Sequence, residues 1–300
     1  LPAALQAKLK QAHRQAAAQH LLRLAHWQIL QDWLQQQGLE PLVLKGAALA
    51  YTHYPDPATR PHTDIDLLLP PHSRAQVEAG LRRLGYQYHL TLGDTPISTQ
   101  CTYLHQGHAY DLHWTVSNSP FISLQVGSYA ALRQRAVYVP ALGAYTLAAA
   151  DALRHACLHW AQHHKRDEQR LIWLYDLVLL VQQMSPETAQ DFRQSMHQQQ
   201  LEALCQAAIR QALALFPIPL NDAWHVWLHR IPQPEPSLAL LQGSPWQQLG
   251  LDWQALPTVA ARRAWLRAYL LPPRAYMQAR YPHTPPQWLW WQYVRRLFLR

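Results

Sequence analysis

Two carboxylates two residues apart, Asp64 and Asp66, lie at the start of the apolar run Asp64-Ile65-Asp66-Leu67-Leu68-Leu69. On a strand, alternate side chains share a face. The two aspartates would project together, about 6–7 Å apart at their Cα atoms, with Ile65 turned into the core. Charge inside an apolar strand is costly without a partner, and two like charges on one face call for something positive between them. Hard divalent cations such as Mg²⁺ take oxygen ligands and keep phosphates as further ligands. A pair of such ions, about 3.5–4 Å apart, serves in-line phosphoryl or nucleotidyl transfer. Two aspartates do not complete such a site, so a third carboxylate is expected from a neighbouring strand.

The dipeptide Lys45-Gly46 fits the other half of the same chemistry. It follows the apolar run Leu42-Val43-Leu44 and precedes an alanine-rich stretch that reads as a helix. A strand that turns into a helix at Gly exposes backbone N–H groups, and these with the helix dipole attract phosphate. Lys45 adds a point charge suited to a triphosphate. The same dipeptide also serves as plain strand–helix punctuation.

The segments Leu44-Lys45-Gly46-Ala47-Ala48-Leu49, Tyr54-Pro55 and Arg60-Pro61-His62-Thr63-Asp64-Ile65-Asp66-Leu67-Leu68 together resemble the uncharacterised nucleotidyltransferase family of the DNA polymerase β-like superfamily. The resemblance implies a Lys-Gly turn at Lys45, Gly46 and Ala47 that binds nucleotide, with Ala47 standing where the wider superfamily often has Ser. It implies a metal-binding pair at Asp64 and Asp66 and a third acidic residue in a segment of the form acid-Leu-His-Trp. Asp111-Leu112-His113-Trp114 has that form, inside an alternating run where Asp111 shares a face with Ala109 and His113. On this reading Asp64, Asp66 and Asp111 hold Mg²⁺, and Asp111 acts as general base or shares a metal.

The elements that must position these groups are legible around them. Residues 3–37 contain no Pro or Gly and read as one long helix or two packed ones, with Leu21, Leu22, Leu24, Trp27, Leu30 and Leu34 as an apolar stripe. Leu42–Leu44 and Ile65–Leu69 are strands. Ser73 is an N-cap for a helix over Arg74–Leu84. Tyr86–Leu92 alternates as a strand, Gly93-Asp94 turns, and Thr99–His105 with His108–Val116 form a hairpin around Gln106-Gly107. The expected class is α+β: a small mixed sheet with helices to one side, followed by a mainly α-helical C-terminal half. Ser117–Pro140 reads poorly, with a short helix near Leu132 and a strand at Ala136–Val139. Helices are expected over Thr146–Ala161, Asp167–Gln183, Pro186–Gln199, Leu201–Phe216, Pro257–Leu271 and Pro286–Leu299. Residues 1–140 form the N-terminal helices and core, and residues 141–300 the helical domain.

Composition bounds the class. The 300 residues are 49% hydrophobic, enough for a substantial core, and only 15% charged. The formal net charge of +8 suits an anionic partner such as a nucleotide. No basic cluster is dense enough for a dedicated nucleic-acid patch. Cys101, Cys157 and Cys205 are dispersed and odd in number, which points away from a disulfide framework and toward the cytoplasm. There is no signal-peptide pattern and no run of about 20 apolar residues.

Two further features stand apart. His155, His159 and His163 recur every four residues, a spacing that can bind zinc but also makes a polar stripe beside a cleft. The resemblance turns this helix and the one carrying Leu174-Tyr175-Asp176-Leu177 toward the nucleotide site. Asp176, in an apolar helix, needs a partner such as a His or Arg. The C-terminal stretch carries Trp288, Trp290, Trp291, Tyr293 and Phe298 with Arg295, Arg296 and Arg300. Its tryptophans surround most of a helix, which favours a core cover over a membrane surface.

The combined expectation is a Mg²⁺-dependent nucleotidyltransferase that moves a nucleoside monophosphate from an NTP to a hydroxyl of a small molecule or protein. A catalytically inactive nucleotide-binding partner, antitoxin-like or a biosynthetic-complex subunit, is the alternative. A transferase acting on RNA ends is a third reading, disfavoured by the dispersed charge.

Overall fold

The computed structural model describes residues 1–89, 99–164 and 170–298, with side chains through Arg295. The Pro- and Gly-free N-terminus is a single helix, α1 (Ala3–Gln36), closed by Gly38 at φ +70°. It buries only Trp27, Leu30, Gln31 and Leu34, while Leu21 and Leu22 stay exposed, so the apolar stripe is shorter than expected. β1 (Leu42–Leu44) then leads into α2 (Lys45–Thr52), and β2 (Asp64–Leu68) follows.

Next come α3 (Arg74–Arg83), β3 (Gln87–His89), β4 (Gln100–His105) and β5 (His108–His113). Ser73 does stand at the N-cap of α3, but its hydroxyl donates to Pro70 O rather than capping the helix. The β4–β5 hairpin turns on Gln106 and Gly107, both at positive φ, as a two-residue connection between twisted strands requires. The Gly93-Asp94 turn and the end of the Tyr86–Leu92 strand fall outside the described residues.

The poorly legible stretch holds α4 (Pro120–Val126), α5 (Tyr129–Arg135) and β6 (Val137–Val139). The sheet then runs past residue 140. Ala144–Thr146 is a further strand, β7, where a helix was expected to begin at Thr146. The seven strands order as β3-β4-β5-β2-β1-β7-β6, with β2–β5 and β1–β7 parallel and the other neighbours antiparallel.

Alternation along the strands sends side chains to two different cores. Val43, Ile65, Leu67, Tyr110 and Leu112 pack under α1 and α3. Leu42, Leu44 and Leu68 pack with the helical half. Helices therefore cover both faces of the sheet, not one side only, because β1 and β2 are buried on both faces.

The helical half comprises α6 (Ala149–His163), α7 (Leu171–Gln182), α8 (Pro186–Gln198), α9 (Glu202–Leu215), α10 (Asp222–His229), α11 (Leu238–Leu241) and α12 (Pro245–Ala255). Its core includes Leu153, Cys157, Leu177, Phe192, Leu204 and Trp224. Three last helices, α13 (Val259–Leu270), α14 (Arg274–Arg280) and α15 (Leu289–Phe298), add a small separate cluster of Tyr276, Met277 and Leu289, flanked by Tyr281 and Tyr293. The tryptophans of α15 do not enter it: Trp290 is 57% and Trp291 52% exposed. Among the described residues no helix is long and apolar enough to cross a membrane.

Candidate active site

The parallel register of β2 and β5 sets Asp66 opposite Asp111, Asp64 opposite Ala109 and Leu68 opposite His113. Strand alternation then puts Asp64, Asp66, Asp111 and His113 on one face of the sheet. Ile65, Leu67, Tyr110 and Leu112 anchor the other face in the core. The third carboxylate thus comes from the neighbouring strand, where the sequence motif put it.

Asp66 is the buried centre, 4% exposed. Its Oδ1 accepts from Lys45 Nζ at 2.6 Å and faces His113 Nε2 at 2.9 Å. Burial alone would raise this carboxyl, but the Lys45 ammonium and the His113 hydrogen bond override it and hold Asp66 well below the usual carboxylate range. Reciprocally, burial acts to lower Lys45 and is outweighed by Asp66, Asp111 and Asp64, so the ammonium is held more firmly than usual. Among the described residues Asp64 has no such partner. Burial, then the like charges of Asp66 and Asp111, raise it above the ordinary aspartate value.

Lys45 reaches Asp66 because β1 pairs Leu44 with Asp66 and the chain turns immediately afterwards. Lys45 itself takes the left-handed conformation, φ +51°. Such a conformation in a non-glycine residue costs about 1–3 kcal/mol and persists where the surroundings impose it. The glycine beside it has another purpose. A Cβ on Gly46 would stand 3.0 Å from Arg60 Nη1 and 3.2 Å from its Cζ. Gly46 is small because a guanidinium lies against it. Ala47 is buried in the core toward α1, away from the cleft, and it is Ala48 that lines the cleft beside Lys45 and Gly46.

Arg60 in turn answers the requirement that Asp176 have a partner. Its Nε donates to Asp176 Oδ1 at 2.8 Å and its Nη2 to Oδ2 at 2.7 Å, while Tyr54 OH donates to Oδ1 at 2.8 Å. Both side chains are 5% exposed. This bidentate pair ties the segment before β2 to α7, across the mouth of the site.

The cleft above the carboxylates measures about 690 Å³, with Lys45, Asp64, Asp66 and Arg60 on one wall and His155, His159, His163, Trp173 and Asp176 on the other. A second lobe of about 380 Å³ is lined by Ser117, Asn118, Ser119, Gln162, Gln248 and Asp252. Lys45, Gln100, His155, His159 and His163 line both, so the lobes meet there. The histidine ladder faces this junction. Burial pushes His155 down to about 3 and His159 well below the ordinary histidine value, reinforced in each by the nearby Lys45 charge. Both are neutral at pH 7. Sequence reasoning did not find His113 as the Asp66 partner, although its i+2 spacing from Asp111 was visible. It also missed Asp252, which lies far along the chain in a segment without a motif.

Among the described residues one group places metal-capable donors within 4.8 Å of one another: Asp66, Asp111 and His113. The ladder histidines make no such group. Two carboxylates with Asp64 alongside, in excess over the single Lys45 cation, are a donor set that fits a hard divalent ion. Lys45 now supplies the positive charge that Asp66 demands.

Residues 1–217 match the family model described as uncharacterised nucleotidyltransferase, and the chain belongs to that family. No curated protein matches it. Among solved structures it is similar to the antibiotic-resistance factor ANT(2'')-Ia, at 14% identity and a TM-score of 0.38 over 68% of this chain and 95% of that one. It is also similar to an antigenic nucleotidyltransferase-like protein from Paracoccidioides brasiliensis, at 13% identity and a TM-score of 0.40 over 74% and 97%.

Proposed function

We propose that the protein is a Mg²⁺-dependent nucleotidyltransferase that transfers a nucleoside monophosphate from an NTP to a hydroxyl of a small molecule or protein. The observation that carries this reading is the convergence of Asp64, Asp66 and Asp111 on one sheet face, with Lys45, Asp64 and Asp66 lining a 690 Å³ cleft, in a chain of nucleotidyltransferase family. Asp64, Asp66 and Asp111 would hold Mg²⁺, which when bound offsets charge on the phosphates and lowers the barrier to in-line attack. Lys45 exchanges part of its contact with Asp66 for phosphate, and the N–H groups opening α2, including those of Gly46 and Ala47, face the same charge. Trp173 offers a flat surface for a base. The smaller lobe receives the acceptor, whose hydroxyl proton passes to Asp111. Residues 1–140 supply the catalytic floor and the helices of residues 141–300 the roof. Buried free Cys101, Cys157 and Cys205 support a cytoplasmic setting.

One observation favours a second reading. The Lys45–Asp66 contact at 2.6 Å occupies a carboxylate oxygen that a metal would use, as in a nucleotide-binding partner without turnover. Incubating the protein with Mg²⁺ and each NTP, with and without cell extract, separates the two. Pyrophosphate release that falls by roughly a hundredfold or more in Asp64→Asn supports the enzyme. NTP binding without release selects the binding partner.

A further inference from the structure

The positive charge, expected to be dispersed, is dispersed only as individual residues: the net charge is not spread over the chain. Residues 253–300 hold eight of the 26 Lys and Arg residues, all of them Arg, and none of the 18 Asp and Glu residues. The preceding 252 residues carry 18 of each sign and are formally neutral. The formal charge of +8 therefore resides entirely in the last 48 residues, beyond the 1–217 span matched by the family.

The same segment exposes apolar surface in ordered stripes. On α15, Leu289 and Gln292 are buried and Tyr293 OH donates to Pro272 O, so one side of the helix is committed to packing. Trp290, Trp291 and Val294 lie on the other side, 57%, 52% and 38% exposed. Positions 290, 291 and 294 fall within one helical face, a cleaner separation than the sequence suggested. Arg295 is exposed beside it. α13 repeats the arrangement, with exposed Val259, Leu266 and Leu270 on a face that also carries exposed Arg263 and Arg267.

We propose that α13 and α15 form a docking surface for an anionic lipid bilayer, lying in its interfacial plane. Exposed tryptophans and aliphatic side chains insert at the headgroup boundary, and the uncompensated arginines meet the lipid phosphates. The aliphatic share of the two stripes, Val294 on α15 with Val259, Leu266 and Leu270 on α13, selects a bilayer over RNA, because bases stack on aromatic rings but leave aliphatic side chains in water. Among the described residues no helix is long and apolar enough to cross the bilayer, so the contact is interfacial. The inference is independent of the nucleotide chemistry.

The test is co-sedimentation of the full chain with phosphatidylglycerol–phosphatidylcholine vesicles, with pure phosphatidylcholine vesicles and a single-stranded RNA homopolymer as comparisons. Two variants are assayed: Trp290→Ser/Trp291→Ser/Val294→Ser, which alters exposed apolar positions, and Arg263→Gln/Arg267→Gln/Arg295→Gln, which alters exposed charge. Partition onto anionic vesicles is expected, at least tenfold stronger than onto neutral ones, weakened by salt, and reduced at least tenfold by either variant. Thermal melting of both variants is expected to match that of the parent, and if one melts lower the other decides. Absence of sedimentation overturns the proposal. So does sedimentation unchanged in a normally melting variant, or RNA binding at concentrations where vesicles do not bind.

Discussion

At the scale of the residue, the site is a charge problem with one cation and three carboxylates. Lys45 is placed on Asp66 by a strained backbone and a 2.6 Å contact, and Asp64 is raised because nothing comparable serves it. Removing the lysine leaves three aspartates and a buried, uncompensated charge, a change that costs about 3–5 kcal/mol for a fully buried pair. With Lys45 27% exposed on its side chain the loss is smaller. Lys45→Met is expected to lower the melting temperature in chelator, and to recover much of the loss in millimolar Mg²⁺, with a larger Mg²⁺-dependent rise than the parent. Differential scanning fluorimetry with and without Mg²⁺ checks this. Equal responses in parent and variant would show that Lys45 and a cation do not share Asp66. Asp64→Asn is expected to melt at or above the parent temperature without metal, since it removes a repelled charge, while turnover is lost.

At the scale of the element, the tie between the loop before β2 and α7 carries the geometry of the cleft. Arg60 and Asp176 are a buried bidentate pair completed by Tyr54, and Gly46 leaves the space Arg60 needs. Asp176→Ala strands the guanidinium and is expected to cost about 3–5 kcal/mol, whereas Arg60→Met/Asp176→Leu together is expected to recover at least half of that. Urea denaturation of both proteins supplies the comparison, and a double variant as unstable as the single one would contradict it. Gly46→Ala crowds Arg60 and is expected to destabilise by about 1–3 kcal/mol.

The same elements show what the sequence made legible. Asp64, Asp66 and Asp111 were readable because period-2 alternation and a local motif encode which face a strand residue takes. The need of Asp176 for a partner was readable from its apolar helix, but the identity of Arg60 was not, since the pair spans 116 positions. The steric constraint on Gly46 was not readable for the same reason: it comes from the distant Arg60 side chain rather than from its own φ. β7 was hidden because it is only three residues long, two of them paired with β1, and α6 begins just two residues later without a Pro or Gly between.

At the scale of the whole molecule, charge and histidine are both unevenly distributed, and the second asymmetry sets the response to acid. His62 and His155 are pushed down to about 4 and about 3 respectively, in each case chiefly by burial, and His159 lies well below the ordinary value for the same reason. In the unfolded chain all three titrate near 6.5. Their folded values are depressed, so the unfolded state binds protons the native state refuses, and stability rises with pH across this window. The stabilisation is complete above about pH 6.5 and is lost progressively as pH falls to 3–4, where the native imidazoles finally protonate. Asp64 and Asp176, both raised by burial, act in the opposite sense as they protonate. Their window starts from an ordinary value of about 3.9 and runs upward, whereas that of the three histidines starts from about 6.5 and runs downward. A shift of this size in several groups amounts to several kcal/mol, comparable with the roughly 5–15 kcal/mol stability of an ordinary domain. The melting temperature is therefore expected to fall steeply between pH 7 and 5, and His155→Gln to flatten the slope although it packs less well at pH 7. Scanning calorimetry of both proteins across that range decides it: a parent whose melting temperature is level from pH 7 to 5 would mean that the buried imidazoles find charge compensation on protonation, with Asp66 the carboxylate that acts on His155 and His159.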